Sequence, residues 1–191
     1  MTSKSIILIG PMATGKSTIG AALAKITKLP QVPMDRVRWY YYYKHGFSLE
    51  KELSIDSFTE LLAYWKPFEV NAVQNILKEF PNSIIDFGAG HSYYVDHKQF
   101  EQVQSALKDF SNVILLLPCP NKKEALKICN ERLKIKKQRD LEENEVLANK
   151  DFIEHKSNYK LAKHIVYTKD KTPEETALEI KKLISTPITI V

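Results

Sequence analysis

The residues with the clearest chemical meaning are Gly10-Pro11-Met12-Ala13-Thr14-Gly15-Lys16-Ser17, a complete GxxxxGK[ST] pattern with Thr18 directly after it. In this spacing successive backbone N–H groups and the positive end of the following helix surround phosphate groups. The lysine reaches the β and γ phosphates, and the serine hydroxyl binds Mg²⁺. The pattern follows an apolar run, Ile6 to Ile9, and opens a segment of helical period, which is the context the chemistry requires. It points to a nucleoside triphosphate, with ATP and Mg²⁺ as the expected cofactors. A glycine turn that binds nothing is the structural alternative.

Two acids stand at comparable places. Asp86 closes the apolar run Ser83 to Phe87 just before Gly88-Ala89-Gly90, where a Walker-B-like carboxylate would join Ser17 around the metal. Asp35 follows the short run Gln31 to Met34. Each could instead cap a helix or a turn. Four of the six glycines lie in the two loops named so far, so the backbone is permissive where ligands would sit.

Positioning these groups requires a sheet whose strands end together. Apolar runs of four to six residues alternate with longer stretches of helical period, the pattern of a parallel sheet covered by helices on both faces. We expect strands near Ser5–Ile9, Gln31–Met34, Ser83–Phe87, Asn112–Leu117 and His164–Thr168. Helices are expected over Lys16–Lys28, Ile55–Phe80, Asp96–Phe110, Lys122–Leu133, Glu145–Lys163 and Pro173–Ile184. The fold class is α/β, a P-loop NTPase three-layer sandwich on a five-stranded parallel sheet. Ligands of such sheets collect at the carboxyl ends of the strands, where both glycine loops fall.

Two segments interrupt the alternation within this single domain of residues 1–191. Residues 35–80 are aromatic and helical, with Pro67 expected to break or kink them, and read as a substrate-binding insert. Residues 134–149 are charged and poor in apolar side chains, and read as a mobile lid. The run Tyr40 to Tyr43 cannot all face one core, since a helix turns about 100° per residue, so one or two of these rings are expected to line a cleft.

Composition narrows the function classes. The chain has 28 Lys plus Arg against 23 Asp plus Glu, a surplus of +5. Residues 121–140 alone hold eight basic side chains against three acidic ones, so the surplus is local. That placement favours closure over a triphosphate above a general affinity for nucleic acid, and no nucleic-acid partner is expected. No apolar run approaches the roughly 20 residues of a membrane span, and the polar start leads straight into a strand. Cys119 and Cys129 lack metal-ligand spacing, so a cytoplasmic setting is expected.

The stretch Ile6 to Leu29, with Ile-Leu-Ile-Gly-Pro-Met, Gly-Lys-Ser-Thr-Ile-Gly, Leu-Ala-Lys and Leu-Pro, resembles the opening of the shikimate kinase family of P-loop small-molecule kinases. Elsewhere the resemblance rests on short motifs in the right order. The family's Asp-x-Asp is here Pro33-Met34-Asp35, which keeps the acid that contacts the acceptor hydroxyl and loses the one that helps with the metal. Its Phe-Arg-x-x-Glu is similar to Trp65-Lys66-Pro67-Phe68-Glu69, with lysine in place of the arginine that grips the substrate carboxylate. Its triple glycine becomes Gly88-Ala89-Gly90, and a later substrate-binding arginine falls near His155 to Tyr159, where none exists. Arg132 and Arg139 stand where related kinases place lid arginines.

The resemblance implies transfer of the γ-phosphoryl group of ATP to a hydroxyl of a small metabolite. Lys16, Arg132 and Arg139 would act on the phosphates, Asp35 on the acceptor, and Lys66 with Gly88, Ala89 and Gly90 would form the acceptor pocket. Shikimate is a possible acceptor. A nucleoside or nucleotide kinase, a non-kinase P-loop ATPase, or a nucleic-acid-stimulated ATP switch are the alternatives.

Overall fold

The computed structural model describes residues 4–185; residues 1–3 and 186–191 lie outside the description. Five parallel strands, β1 Ile6–Ile9, β2 Gln31–Pro33, β3 Ile84–Asp86, β4 Val113–Leu117 and β5 His164–Tyr167, lie in the order β2-β3-β1-β4-β5. β1 and β4 are buried along their whole length, as central strands covered on both faces must be. Side chains alternate across the sheet. Ile6 and Leu8 join α1 (Lys16–Thr27) and α9 (Pro173–Ser185) through Ile19, Leu23, Ala177 and Ile180. Ile7 and Ile9 join the opposite core with Val73, Ile76, Val103 and Leu107. The three-layer α/β expectation stands.

The insert between β2 and β3 is α2 (Met34–Lys44), α3 (Leu49–Leu53) and α4 (Phe58–Glu79). Ser48 and Ser57 cap α3 and α4 by accepting from Lys51 N and Glu60 N. Pro67 lies inside α4 without ending it, so of the expected break or kink the break does not occur. Both Pro67 and Ala63, whose carbonyl loses its amide partner, are on the exposed side, so water can satisfy that carbonyl. After β3 a short 3-10 turn at Ala89–Ser92 leads to α5 (His97–Ala106), capped by Asp96.

The charged region after β4 is more ordered than its composition suggests. α6 runs over Lys122–Lys137, past the expected Leu133, and its last turn carries Lys134, Lys136 and Lys137, which suit the negative end of a helix. Gln138 in the left-handed conformation closes it. α7 (Glu143–Glu154) follows at once, so residues 134–149 are largely helical rather than a loose flap. The single helix expected over Glu145–Lys163 is two, because His155 leaves helical geometry and starts α8 (Lys156–Leu161). Among the described residues no helix is long and apolar enough to cross a membrane.

Candidate active site

β1 delivers the chain into the phosphate loop and α1 carries it away. Gly10 has φ 136°, and a Cβ there would collide with the carbonyl oxygen of Leu116 on the neighbouring strand. Gly15, at φ 92°, precedes α1, and no side chain caps that helix, so its first amides remain available to an anion. Lys16 is buried under the loop, and its Nζ donates to the carbonyls of Gly10 at 2.8 Å and Pro11 at 2.7 Å. Burial lowers its pKa to about 8, against the opposing pull of Asp35 and Asp86. Thr14 Oγ1 donates to Pro11 O, and Met12 N donates to Asn149 Oδ1 of α7 at 3.0 Å.

Ser17 Oγ donates to Asp86 Oδ1 at 2.7 Å. Gln31 Nε2 bridges Asp86 Oδ2 at 2.7 Å and Ser17 O at 2.9 Å, so the carboxylate is held from both sides. Asp86 is buried, which raises its pKa, while the Ser17 and Gln31 hydrogen bonds oppose the rise. Gly20 on α1 makes room for this arrangement, since a Cβ there would press on Gln31 Nε2 at 2.7 Å. In register, Asp86 pairs with Pro33. The acid thus lies on β3 directly beside the position where the family resemblance places its missing metal acid. A hydroxyl and a carboxylate at the mouth of a phosphate loop suit Mg²⁺, which takes a few protein oxygens and completes its shell with phosphate and water. Among the described residues no cluster of three His, Cys, Asp or Glu offers a complete protein cage.

The side where the sequence expects the acceptor is built by α2, α4 and the turn after β3. Asp35 lies in the first turn of α2, with its side chain 64% exposed and its Oδ1 3.7 Å from Arg38. Lys66 and Glu69 are buried rather than solvated: Lys66 Nζ donates to Glu69 Oε2 at 2.5 Å and to Gly90 O at 2.9 Å, with the rings of Tyr93 and Tyr94 beside it. A Cβ on Gly88 would overlap the Asp35 carboxylate, and one on Gly90 would overlap that of Glu69. The glycines therefore let this turn approach both acids; Ala89 between them is partly exposed. A cleft of about 1080 Å³ opens next to Lys66, walled by Phe58, Leu62, Tyr93, Val95 and Leu147.

Two arginines are engaged elsewhere than on each other. Arg132 donates to Thr168 Oγ1 at 3.1 Å, at the carboxyl end of β5. Arg139 forms a fork to both oxygens of Glu145 at 2.9 Å, which Lys137 also meets. Of the tyrosine run, Tyr40 and Tyr43 are exposed, Tyr41 donates to Glu79, and Tyr42 is fully buried beside His91, its hydroxyl 3.2 Å from Nε2. Gln31 and Asn149 escape the sequence reading, whereas Arg38 and Tyr42 fall within the aromatic stretch after Asp35 and His91 directly follows Gly88-Ala89-Gly90. Gln31 and Asn149 have no local signal; the dense aromatic run around Arg38 is a signal that singles out no residue.

The model of the family described as shikimate kinase matches residues 12–185. The chain belongs to the shikimate kinase family. A shikimate kinase of Flavobacterium johnsoniae is 26% identical over 190 residues, which is 95% of this chain and 99% of that one. In fold, the shikimate kinase from Acinetobacter baumannii, solved in complex with shikimate, agrees with a TM-score of 0.69 at 19% identity, over 95% of this chain and 92% of that one. The shikimate kinase from Bacteroides thetaiotaomicron agrees at 0.65 and 19% identity, over 95% and 98%. As a member of the shikimate kinase family the chain is an ATP-dependent phosphotransferase that acts on a hydroxyl group of a small molecule.

Proposed function

We propose that the acceptor hydroxyl is seated at Asp35, above the turn Gly88-Ala89-Gly90, and receives the γ-phosphoryl group of an ATP held by the loop from Gly10 to Thr18. The observation that carries this reading is the convergence of three units at the carboxyl ends of β1, β2 and β3: the loop with Lys16, the Ser17–Asp86 pair, and Asp35 pressed against Gly88. Asp35 orients the hydroxyl and draws its proton as the oxygen bonds to the γ phosphorus. The bond from that phosphorus to the bridging oxygen breaks, and ADP leaves with the electron pair. Lys16 offsets the charge on the phosphates. Ser17 and Asp86 would hold Mg²⁺, which would supply positive charge to offset that of the phosphates.

Lys66 and Glu69 shape the acceptor floor, and Arg132 and Arg139 belong to the region of residues 134–149 and its approach, which closes over ATP. The two buried free thiols, Cys119 and Cys129, suit a reducing cytoplasm. Shikimate is a candidate acceptor; where the family pattern has an arginine the chain has Lys66, whose ammonium is paired with Glu69.

The test is to incubate the protein with Mg-ATP and a panel containing shikimate, gluconate, sugars and nucleosides, and to find the phosphorylated mass. We expect transfer to a polyhydroxy compound. The Asp35→Asn variant is expected to bind ATP normally and to lose at least about 100-fold in transfer. Unchanged turnover by that variant would remove Asp35 from the chemistry.

A further inference from the structure

Arg38 sits one turn after Asp35 on α2, with 19% of its side chain exposed. Its guanidinium lies against the rings of Trp39, Tyr42 and Trp65 at 4.7, 5.7 and 5.7 Å. Its Nε is buried and has no hydrogen-bond partner, and its ion pair with Asp35 spans 3.7 Å to a carboxylate that is itself mostly in solvent. Arginine keeps its charge at any pH that proteins survive, and the Tyr42 hydroxyl that also meets this guanidinium is neutral, so a guanidinium largely removed from water with so weak an ion pair lacks a close anion.

Lys66 does not fill that need for an acceptor. Its ammonium is neutralised by Glu69 at 2.5 Å and held by Gly90 O, so its charge is already used inside the protein. A second orphan lies nearby. His91 is fully buried, and its Nδ1 makes no well-formed hydrogen bond and faces the backbone of Gly88. A Cβ on Gly88 would meet that nitrogen at 2.8 Å and overlap Asp35 as well, so the imidazole and the carboxylate converge on one point. Unpaired nitrogens of Arg38 and His91 thus flank the acid that the kinase reading assigns to the acceptor.

We infer that Arg38 receives the acceptor's anionic group. The acceptor is then a hydroxy acid whose planar carboxylate lies on the guanidinium fork while its hydroxyl lies at Asp35, a geometry that a lysine ammonium cannot match. Anion recognition has moved from α4, where the resemblance places it, to α2. This rests on the kinase reading for the position of the hydroxyl.

The chain's two tryptophans, Trp39 and Trp65, both lie against Arg38, so intrinsic fluorescence reports on its surroundings directly. The full-length protein is titrated, with and without ADP, with shikimate, gluconate and short 2- and 3-hydroxy acids, and with the amide of each. We expect a saturable change with at least one acid and at least about tenfold weaker binding of its amide. Arg38→Gln should weaken the acid about tenfold or more and leave the amide unchanged, Arg38→Lys should recover part of the loss, and ADP affinity should stay constant in both, which also verifies folding. Equal binding of acid and amide, an unaffected Arg38→Gln, or no response to any acid would overturn the inference. A loss shared equally by acid and amide would make Arg38 a support for Asp35 and would overturn it too. Acid binding without phosphoryl transfer would count against the kinase reading and leave the anion site standing.

Discussion

Lys16 donates to carbonyls of its own loop, and its burial sets a pH dependence for nucleotide binding. In the empty loop the ammonium loses its proton near pH 8, whereas a triphosphate beside it favours the charged form. Binding above pH 8 therefore takes up a proton. ATP affinity should be flat below that pH and fall by up to about tenfold per unit above it, measurable by calorimetric titration between pH 7 and 9.5 in buffers of different ionisation enthalpy. A flat profile across the range would show that Lys16 does not titrate. Gly88 offers a second test at this scale. Its φ of −61° suits any residue, so Gly88→Ala introduces no backbone strain and acts only by pushing Asp35 and His91 aside. Transfer should drop about 100-fold with ATP affinity intact, measured by initial rates and nucleotide titration. The phosphate loop was readable because its chemistry is local in sequence. Gln31 and Asn149 were not, because each acquires its role from a partner far along the chain: Gln31 reaches Asp86 across 55 positions and Asn149 reaches Met12 across 137.

At the level of elements, helices and strands were legible where burial wrote a period into the sequence and blurred where solvent did. The five strands differ from expectation at their ends only. Pro67 shows what the reading could not see. Whether a proline breaks a helix depends on which way the orphaned carbonyl faces, and here that of Ala63 is on the wet side. Water offsets the lost hydrogen bond only in part, so Pro67→Ala should stabilise the protein by about 1–3 kcal/mol, read as a higher urea midpoint with unchanged m-value. A lower midpoint would mean that the proline ring fills a gap at the cleft beside Ala63. Likewise, α6 outruns its apolar residues because its exposed last turn needs no core; lysines at that end are favoured by the helix dipole.

Across the whole molecule, three of the eight basic side chains in residues 121–140 enter ion pairs among the described residues, and the rest of the surplus stays open. Lys134 faces Asp140, Lys137 and Arg139 face Glu145, and Lys169 faces Glu124. His91 links the acceptor site to global stability. Burial, with the Arg38 and Lys66 charges, holds its pKa far below 6.5, so it stays neutral in the fold. Below about pH 6.5 the unfolded chain takes up a proton that the folded chain refuses. Stability should therefore fall by up to about 1.4 kcal/mol per pH unit on acidification, and His91→Asn should remove that part of the slope in urea titrations from pH 7 to 4.5. Identical slopes would assign acid loss to the carboxylates alone.

The hydrogen bond from Met12 to Asn149 ties α7 to the phosphate loop, while Leu147, Ala148 and Asp151 of the same helix border the cleft beside Lys66. On the reading proposed above, one helix is thus shared by both ligands. Any change that ATP imposes on Asn149 is felt at the acceptor's wall, and thermodynamic linkage makes the exchange symmetric: whatever factor ATP adds to acceptor affinity, the acceptor returns to ATP.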